Sequence, residues 1–369
     1  MTTALKVFSR YFTSILILST VALNTQAQGK SEATPWIEVK IPAEWQDDYD
    51  YKSDVVGNER NNMSLKLEPE ATINILPVPG LSLFAHGVLE QVVDPDPDED
   101  RYFKDAGFFV EDLFIRYETG RFAFLGGKTN PGFGIAWDKA SGIYGTDMAE
   151  DYEIAERIVL SASAGFDAGA LGNHNVSIGT FFLDTSPLQN TIVSRTRGTL
   201  GREDGGVSNT GDFSSYNIVL EGGFPAAKDL LYHLAYIHQA NGEDALDNET
   251  GFAAGVTTRL DLGNDVAVTP LLEYVRLEDL GGTKDTNQRY WTGSLLTEWR
   301  SWNLALAYTN RKLEASGASD ISDYQFQASI GYAFDNGITA DLGWKRLRES
   351  SETTDRIGFL FTYEFGFKK

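Results

Sequence analysis

The sequence predicts an all-β chain: a transmembrane antiparallel up-and-down β-barrel of about 16 strands, with short periplasmic turns and long extracellular loops. Three observations carry this expectation. Apolar and polar residues alternate with a period of two in many separate segments, which marks strands with one apolar face. Short and long connections alternate along the chain, as they do in outer-membrane barrels. The chain also opens with the composition of an export signal.

That opening comes first. Lys6 and Arg10 precede a short apolar run, Ile15-Leu16-Ile17-Leu18 and Val21-Ala22-Leu23, followed by Thr25-Gln26-Ala27. The run is too short for a spanning helix, and cleavage after Ala27 is expected. Residues 1–27 are read as a signal peptide and 28–369 as one barrel domain. The chain has 31 Lys+Arg and 53 Asp+Glu, so loss of Lys6 and Arg10 leaves 29 against 53, a formal charge of 29 − 53 = −24. After Ala27 no segment reaches the roughly 18 apolar residues of a spanning helix. A closed barrel is the other way to satisfy the backbone in lipid.

The strands follow in order. Trp36-Ile37-Glu38-Val39-Lys40-Ile41 is the first candidate, with a long connection over 43–60. Short turns are expected near 78–80, 119–121, 169–173, 224–229, 262–265, 299–302 and 334–337. Asp335-Asn336-Gly337 has strong hairpin chemistry. Longer polar connections fall near 94–106, 129–155, 185–212, 240–249, 279–287, 312–320 and 348–354. Seven hairpins, a closing strand and the first segment make sixteen. Without that first segment the even alternative is fourteen.

The late strands show the two faces best. Phe252, Ala254, Val256, Leu260 and Leu262 alternate with Gly255, Thr257, Arg259 and Asp261. Trp302, Leu304, Leu306 and Tyr308 alternate with Asn303, Ala305, Ala307 and Thr309. Tyr324, Phe326, Ala328, Ile330, Tyr332 and Phe334 alternate with Gln325, Gln327, Ser329 and Gly331. Ile338, Ala340, Leu342 and Trp344 alternate with Thr339, Asp341, Gly343 and Lys345. The closing RIGFLFTYEFGFKK puts Ile357, Phe359, Phe361, Tyr363, Phe365 and Phe367 on one side. Rings at both ends of an apolar face suit two interfacial girdles. A soluble sandwich would alternate too, without that placement of rings.

A sixteen-stranded barrel is wider than its own side chains fill. Passage through it is then set by width and lining charge. The alternation assigns Arg259, Asp261, Glu273, Glu298, Arg300, Arg311, Asp341, Lys345, Arg356 and Glu364 to the lumen. Long loops in compact proteins are usually functional or disordered. The loop Asn130–Glu156 holds Phe133, Trp137, Tyr144 and Tyr152, which argue for order. It is expected to fold inward, with Phe133, Trp137, Asp138, Asp147, Glu150, Asp151 and Glu153 at a constriction.

Other chemistry is thin. There is no Cys, hence no disulfide and no thiolate site. No Gly-x-Ser-x-Gly, His-Glu-x-x-His or phosphate loop occurs, so no enzyme is expected. Asp94–Asp100 reads as a solvated loop before a cation collector. His86, His174, His233 and His238 are scattered, and the last two fall on opposite faces of one strand. No metal or cofactor is expected, and the acidity argues against nucleic acid.

The segment FLGGKTNPGFGIAWD (Phe124 to Asp138) resembles the "GK…PFG" strand-to-loop segment of the outer-membrane porin superfamily. It is most similar to that of the plug-less siderophore porins, the LbtU-like family. Ile37-Glu38-Val39 resembles that family's first-strand segment, Val110-Glu111-Asp112 its acidic third strand, and Glu150 to Glu156 its carboxylate-rich loop. The resemblance implies a porin barrel and, as an alternative, TonB-independent siderophore uptake. The leading expectation is passive diffusion of small hydrophilic solutes with cation preference. A third reading is an adhesive or structural barrel with a blocked lumen. Expected partners are outer-membrane lipid and lipopolysaccharide, the barrel-insertion machinery reading the C-terminal strand, and small solutes. The resemblance leaves a homotrimer open.

Overall fold

The computed structural model describes residues 36–369, apart from 94, 225, 226, 228 and 229. The expected signal peptide lies outside the described residues. Sixteen membrane-length strands form one closed sheet. They are β1 (Ile37–Ser53), β2 (Asn61–Leu67 continued by Glu70–Asn74), β3 (Leu81–Gln91), β4 (Ala106–Thr119), β5 (Phe122–Thr129), β6 (Arg157–Asp167), β7 (Asn173–Leu183) and β8 (Ser215–Gly223). The second half has β9 (Leu230–Gln239), β10 (Glu249–Thr258 continued by Leu260–Gly263), β11 (Val266–Glu278), β12 (Thr286–Trp299), β13 (Trp302–Ala315), β14 (Ile321–Ala333), β15 (Thr339–Glu349) and β16 (Glu352–Lys368). Each strand pairs antiparallel with its neighbours in sequence. β16 closes the cylinder on β1, from Glu38 opposite Lys368 to Ser53 opposite Thr354. Closure leaves no sheet edge, so every strand finds backbone partners within the wall.

The two faces of the wall follow the alternation. On β16, Ile357, Phe359, Phe361, Tyr363, Phe365 and Phe367 all lie exposed on the outside. On β14, Gln325, Gln327 and Ser329 are buried on the inside while Ile330 is 45% exposed. The outer face carries rings at two levels. Near the short-turn end, Trp302 meets Tyr332 at 4.9 Å and Tyr363 meets Phe365 at 4.5 Å. Near the loop end, Tyr274 meets Trp291 at 4.7 Å and Tyr308 meets Tyr324 at 6.2 Å. Rings with an apolar body and a polar tip belong at such levels, with aliphatic residues between them. His233 faces inward and is 2% exposed. His238 faces outward and stacks on Tyr216 at 5.0 Å.

The short-turn end matches the expected positions, although part of the 224–229 turn is not described. The other end corrects two of them. The connection expected over 43–60 is only 54–60, because β1 runs on to Ser53. There β1 pairs with both β2 and β16, so its polar residues stand on the wall's inner face. The loop expected over 348–354 shrinks to the pair Ser350-Ser351, both at positive φ. Charged residues at these strand ends point into water or into the lumen, so polarity alone overstates the loops.

Candidate functional site

The segment 130–156 lies inside the barrel. Gly134 starts the inward course with φ 75°, and a Cβ there would stand 2.8 Å from the Tyr152 ring. A single helical turn follows, Ala136–Lys139. Its leading amides have no intrahelical acceptor, and Glu273 of β11 supplies one. The carboxylate accepts from Ile135 N at 2.5 Å and Ala136 N at 2.9 Å, and from the Tyr152 hydroxyl. Burial beside Glu273 pushes the Tyr152 phenol well above its ordinary range, so it stays a donor. The Trp137 indole N–H donates to Phe133 O at 3.0 Å.

Around these polar anchors the segment buries an apolar core. Phe133, Ile135, Trp137, Met148, Tyr152 and Ile154 pack on inward residues of the wall, among them Phe181, Ile237, Leu271, Val275 and Tyr290. Burying each large side chain fully is worth about 1.5–3 kcal/mol. The small inward residues of the wall make room for it. A Cβ at Gly255 would meet Ile135 at 2.8 Å, and one at Gly343 would meet Ile143 at 2.9 Å.

Ionic contacts tie the segment to the far wall. Lys345 of β15 donates to Asp147 at 2.5 Å. Arg311 of β13 reaches Asp151 at 2.6 Å, Asp323 at 2.6 Å and Glu349 at 2.7 Å. Tyr144 donates to Asp48 of β1 at 2.5 Å, and Arg356 of β16 binds Asp50 at 2.6 Å. At the base, Lys128 joins Glu156 at 2.7 Å and Asp184 at 3.2 Å.

The residues assigned to the lumen from sequence therefore occupy two different places. Glu273, Arg311, Lys345 and Arg356 point inward as anchors of the segment or of its neighbours. Arg259, Asp261, Glu298 and Glu364 sit at the water-exposed short-turn mouth, where Arg259 pairs with Glu298. Asp341 accepts from Asn303 at 3.3 Å nearby. Arg300 stands in the turn before β13, its guanidinium 5.3 Å from the Trp299 ring and its Nε 3.4 Å from Asp265. On the segment, Phe133 and Trp137 are core residues, and Asp147 and Asp151 are held by cations. Glu150 accepts from Thr146 at 2.9 Å, and Glu153 accepts from Asn130 at 2.7 Å.

Glu150, Glu153 and Asp138 form an acidic edge on the segment, and the wall across from it is acidic as well. Glu44 of β1, Glu68 in the break between the two parts of β2, Glu70 just after it, Glu90 of β3 and Glu111 and Asp112 of β4 gather there with Lys66 and His86. Glu153 lies close enough to feel Asp112 and Asp138. This wall patch was absent from the sequence-level site. Asn62, Ser64, Lys66, Glu68 and Glu70 do alternate with apolar neighbours, which would have been the signal.

For Glu111 and Asp112 alternation misleads. The register between β3 and β4 shifts after His86, which pairs with Asp112 while Gly87 pairs with Val110. Glu111 is the extra residue of a β-bulge, a device that re-aims side chains. Phe109 and Glu111 face inward before the bulge, Asp112 and Phe114 after it. Below the patch, a cavity of about 140 Å³ is bounded by His86, Glu111, Asp112, Asn130, Ser161 and Glu221, among others.

Burial, helped by Glu150, Asp112 and Asp138, pushes the Glu153 carboxyl well above its ordinary range. A carboxylate raised on folding binds its proton more tightly in the folded segment than in the unfolded chain. Stability therefore falls as pH rises from about 4.3, the unstructured value, through the raised folded value, and returns on acidification. We expect lowering pH from about 7 to about 5 to protect the segment from protease. Glu153→Gln should flatten that dependence.

No protein-family model matches the chain, and no curated protein matches it. Solved structures do resemble it. OmpF of Salmonella typhi, in complex with daunomycin, superposes with a TM-score of 0.61 at 13% identity, over 89% of this chain and 97% of that one. OccK2 (OpdF) of Pseudomonas aeruginosa gives 0.54 at 10% identity, covering 91% and 100%. The outer-membrane channel DcaP of Acinetobacter baumannii gives 0.53 at 10% identity, covering 91% and 99%. At such identities the likeness shows a shared barrel fold.

Proposed function

We propose that the chain is a diffusion channel of the bacterial outer membrane, passing small hydrophilic solutes with a preference for cations. The carrying observation is that carboxylates face each other across the gap between the inserted segment and the β1–β4 wall. In a narrow, low-dielectric passage such rings raise the local concentration of cations and repel anions. The ring-bearing outer face supports the membrane setting, and the likeness to barrels such as the outer-membrane channel DcaP supports a channel. The inserted segment narrows the path, with Glu150 and Glu153 on its edge.

A salt gradient across a planar bilayer tests this. Purified protein should give step currents and a reversal potential of the sign set by cation flow. A reversal potential near zero or of the opposite sign refutes the preference. Absence of steps refutes the channel. Passage of ferric siderophores is what the resemblance of Phe124 to Asp138 implies. A deletion strain with unchanged siderophore use would count against that route.

A further inference from the structure

The geometry points to a binding site for a borderline divalent metal ion, of the zinc class, at His86, Glu111 and Asp112 in the narrow part of the lumen. His86 Nδ1 lies 3.2 Å from Asp112 Oδ2 and 3.7 Å from Glu111 Oε2. Metal bonds of about 2.0–2.2 Å arranged tetrahedrally put ligand atoms roughly 3.3–3.6 Å apart. The three ligand atoms lie within 4.8 Å of one another, so small side-chain rotations close the set.

A second observation singles this cluster out from the surrounding acids. Glu111 Oε2 and His86 Nε2 are buried without a hydrogen-bond partner, in residues that are 1% and 5% exposed. Orphaned polar atoms at such depth are costly. A cation between His86 and Glu111 would satisfy the carboxylate oxygen directly. Ligation through Nδ1 leaves Nε2–H facing Glu68 Oε1, now 3.9 Å away. Glu68 is itself held by Lys66 at 3.0 Å. An imidazole ligand whose other nitrogen is steadied by a carboxylate is the usual outer arrangement of such centres. The bulge at Glu111 is what brings the second carboxylate to this side of the wall. One nitrogen and two oxygens favour zinc-class ions over magnesium, which prefers oxygen alone.

Binding needs only the folded barrel. Its effect on current rests on the channel reading, because an ion held here would oppose the flow of other cations. Calorimetric titration of zinc chloride into the detergent-folded full chain tests the site separately. The folded state is checked by gel mobility before and after boiling. One zinc per chain is expected, bound at least tenfold more tightly than magnesium. His86→Asn and Glu111→Gln should each weaken zinc by at least tenfold, since even outer partners are worth 10–100-fold. His233→Asn, at the separate pair with Glu221, should leave zinc binding unchanged. Zinc no tighter than magnesium, wild-type affinity in either site variant, or equal loss in the His233 variant would overturn the site. Those results would leave the bilayer test of cation flow standing.

Discussion

Replacing Glu273 by Ala is expected to open the channel and to expose the inserted segment. The carboxylate accepts from two backbone amides and one hydroxyl, all buried. Alanine has no acceptor, and water has little access behind Ile135 and Tyr152. At about 1–3 kcal/mol for each orphaned group, the local cost is several kcal/mol. The start of the segment should then leave the wall intermittently. Single-channel records should show larger and noisier conductance, and protease should cut within 130–156. Glu273→Gln keeps one acceptor oxygen and should lie between alanine and wild type. Unchanged conductance and protection in Glu273→Ala would show that the apolar core holds the segment alone.

Arg311→Met should produce the second large effect. Its guanidinium faces Asp151 on the segment and Asp323 and Glu349 on neighbouring strands. Methionine leaves three carboxylates confronting one another. A fully buried broken pair costs about 3–5 kcal/mol. Asp151 and Glu349 are about one-third exposed, so solvent screens part of this, leaving roughly 2 kcal/mol. Urea unfolding in detergent should show that loss. Cation selectivity should become more sensitive to pH at the same time, because Asp151, already raised by burial, loses the cation that opposes its protonation. An unshifted unfolding midpoint would remove Arg311 from the list of anchors.

These two variants also mark how far the sequence could be read. The strands of the second half were legible because Trp302 to Tyr308 and Ile357 to Phe367 alternate without interruption. Most of the short turns were legible from Gly, Pro, Asn or Asp, as at Asp335-Asn336-Gly337, whereas the 299–302 turn carries only Arg300 and Ser301 between two tryptophans. Where strands end was less so. Gln46, Asp48 and Asp50 look like loop residues, yet they belong to β1, because the lumen accepts the same polarity that loops do. The inward course of the segment was expected from its aromatics. The acidic wall opposite it was not, because Glu68, Glu90 and Glu111 come from three separate stretches with no common motif.

The sequence by itself determined which side of the wall each late-strand residue takes, since a period of two encodes a face and little else. It could not say whether an inward residue meets water or another part of the chain. That was decided by closure and by the inserted segment, which bring Tyr144 to Asp48, Asp151 to Arg311 and Ile135 to Glu273. A single bulge at Glu111 reversed the face code locally and set two carboxylates beside His86. Partners 96 to 160 residues apart are chosen by the barrel's circumference, and strand alternation carries no record of that distance.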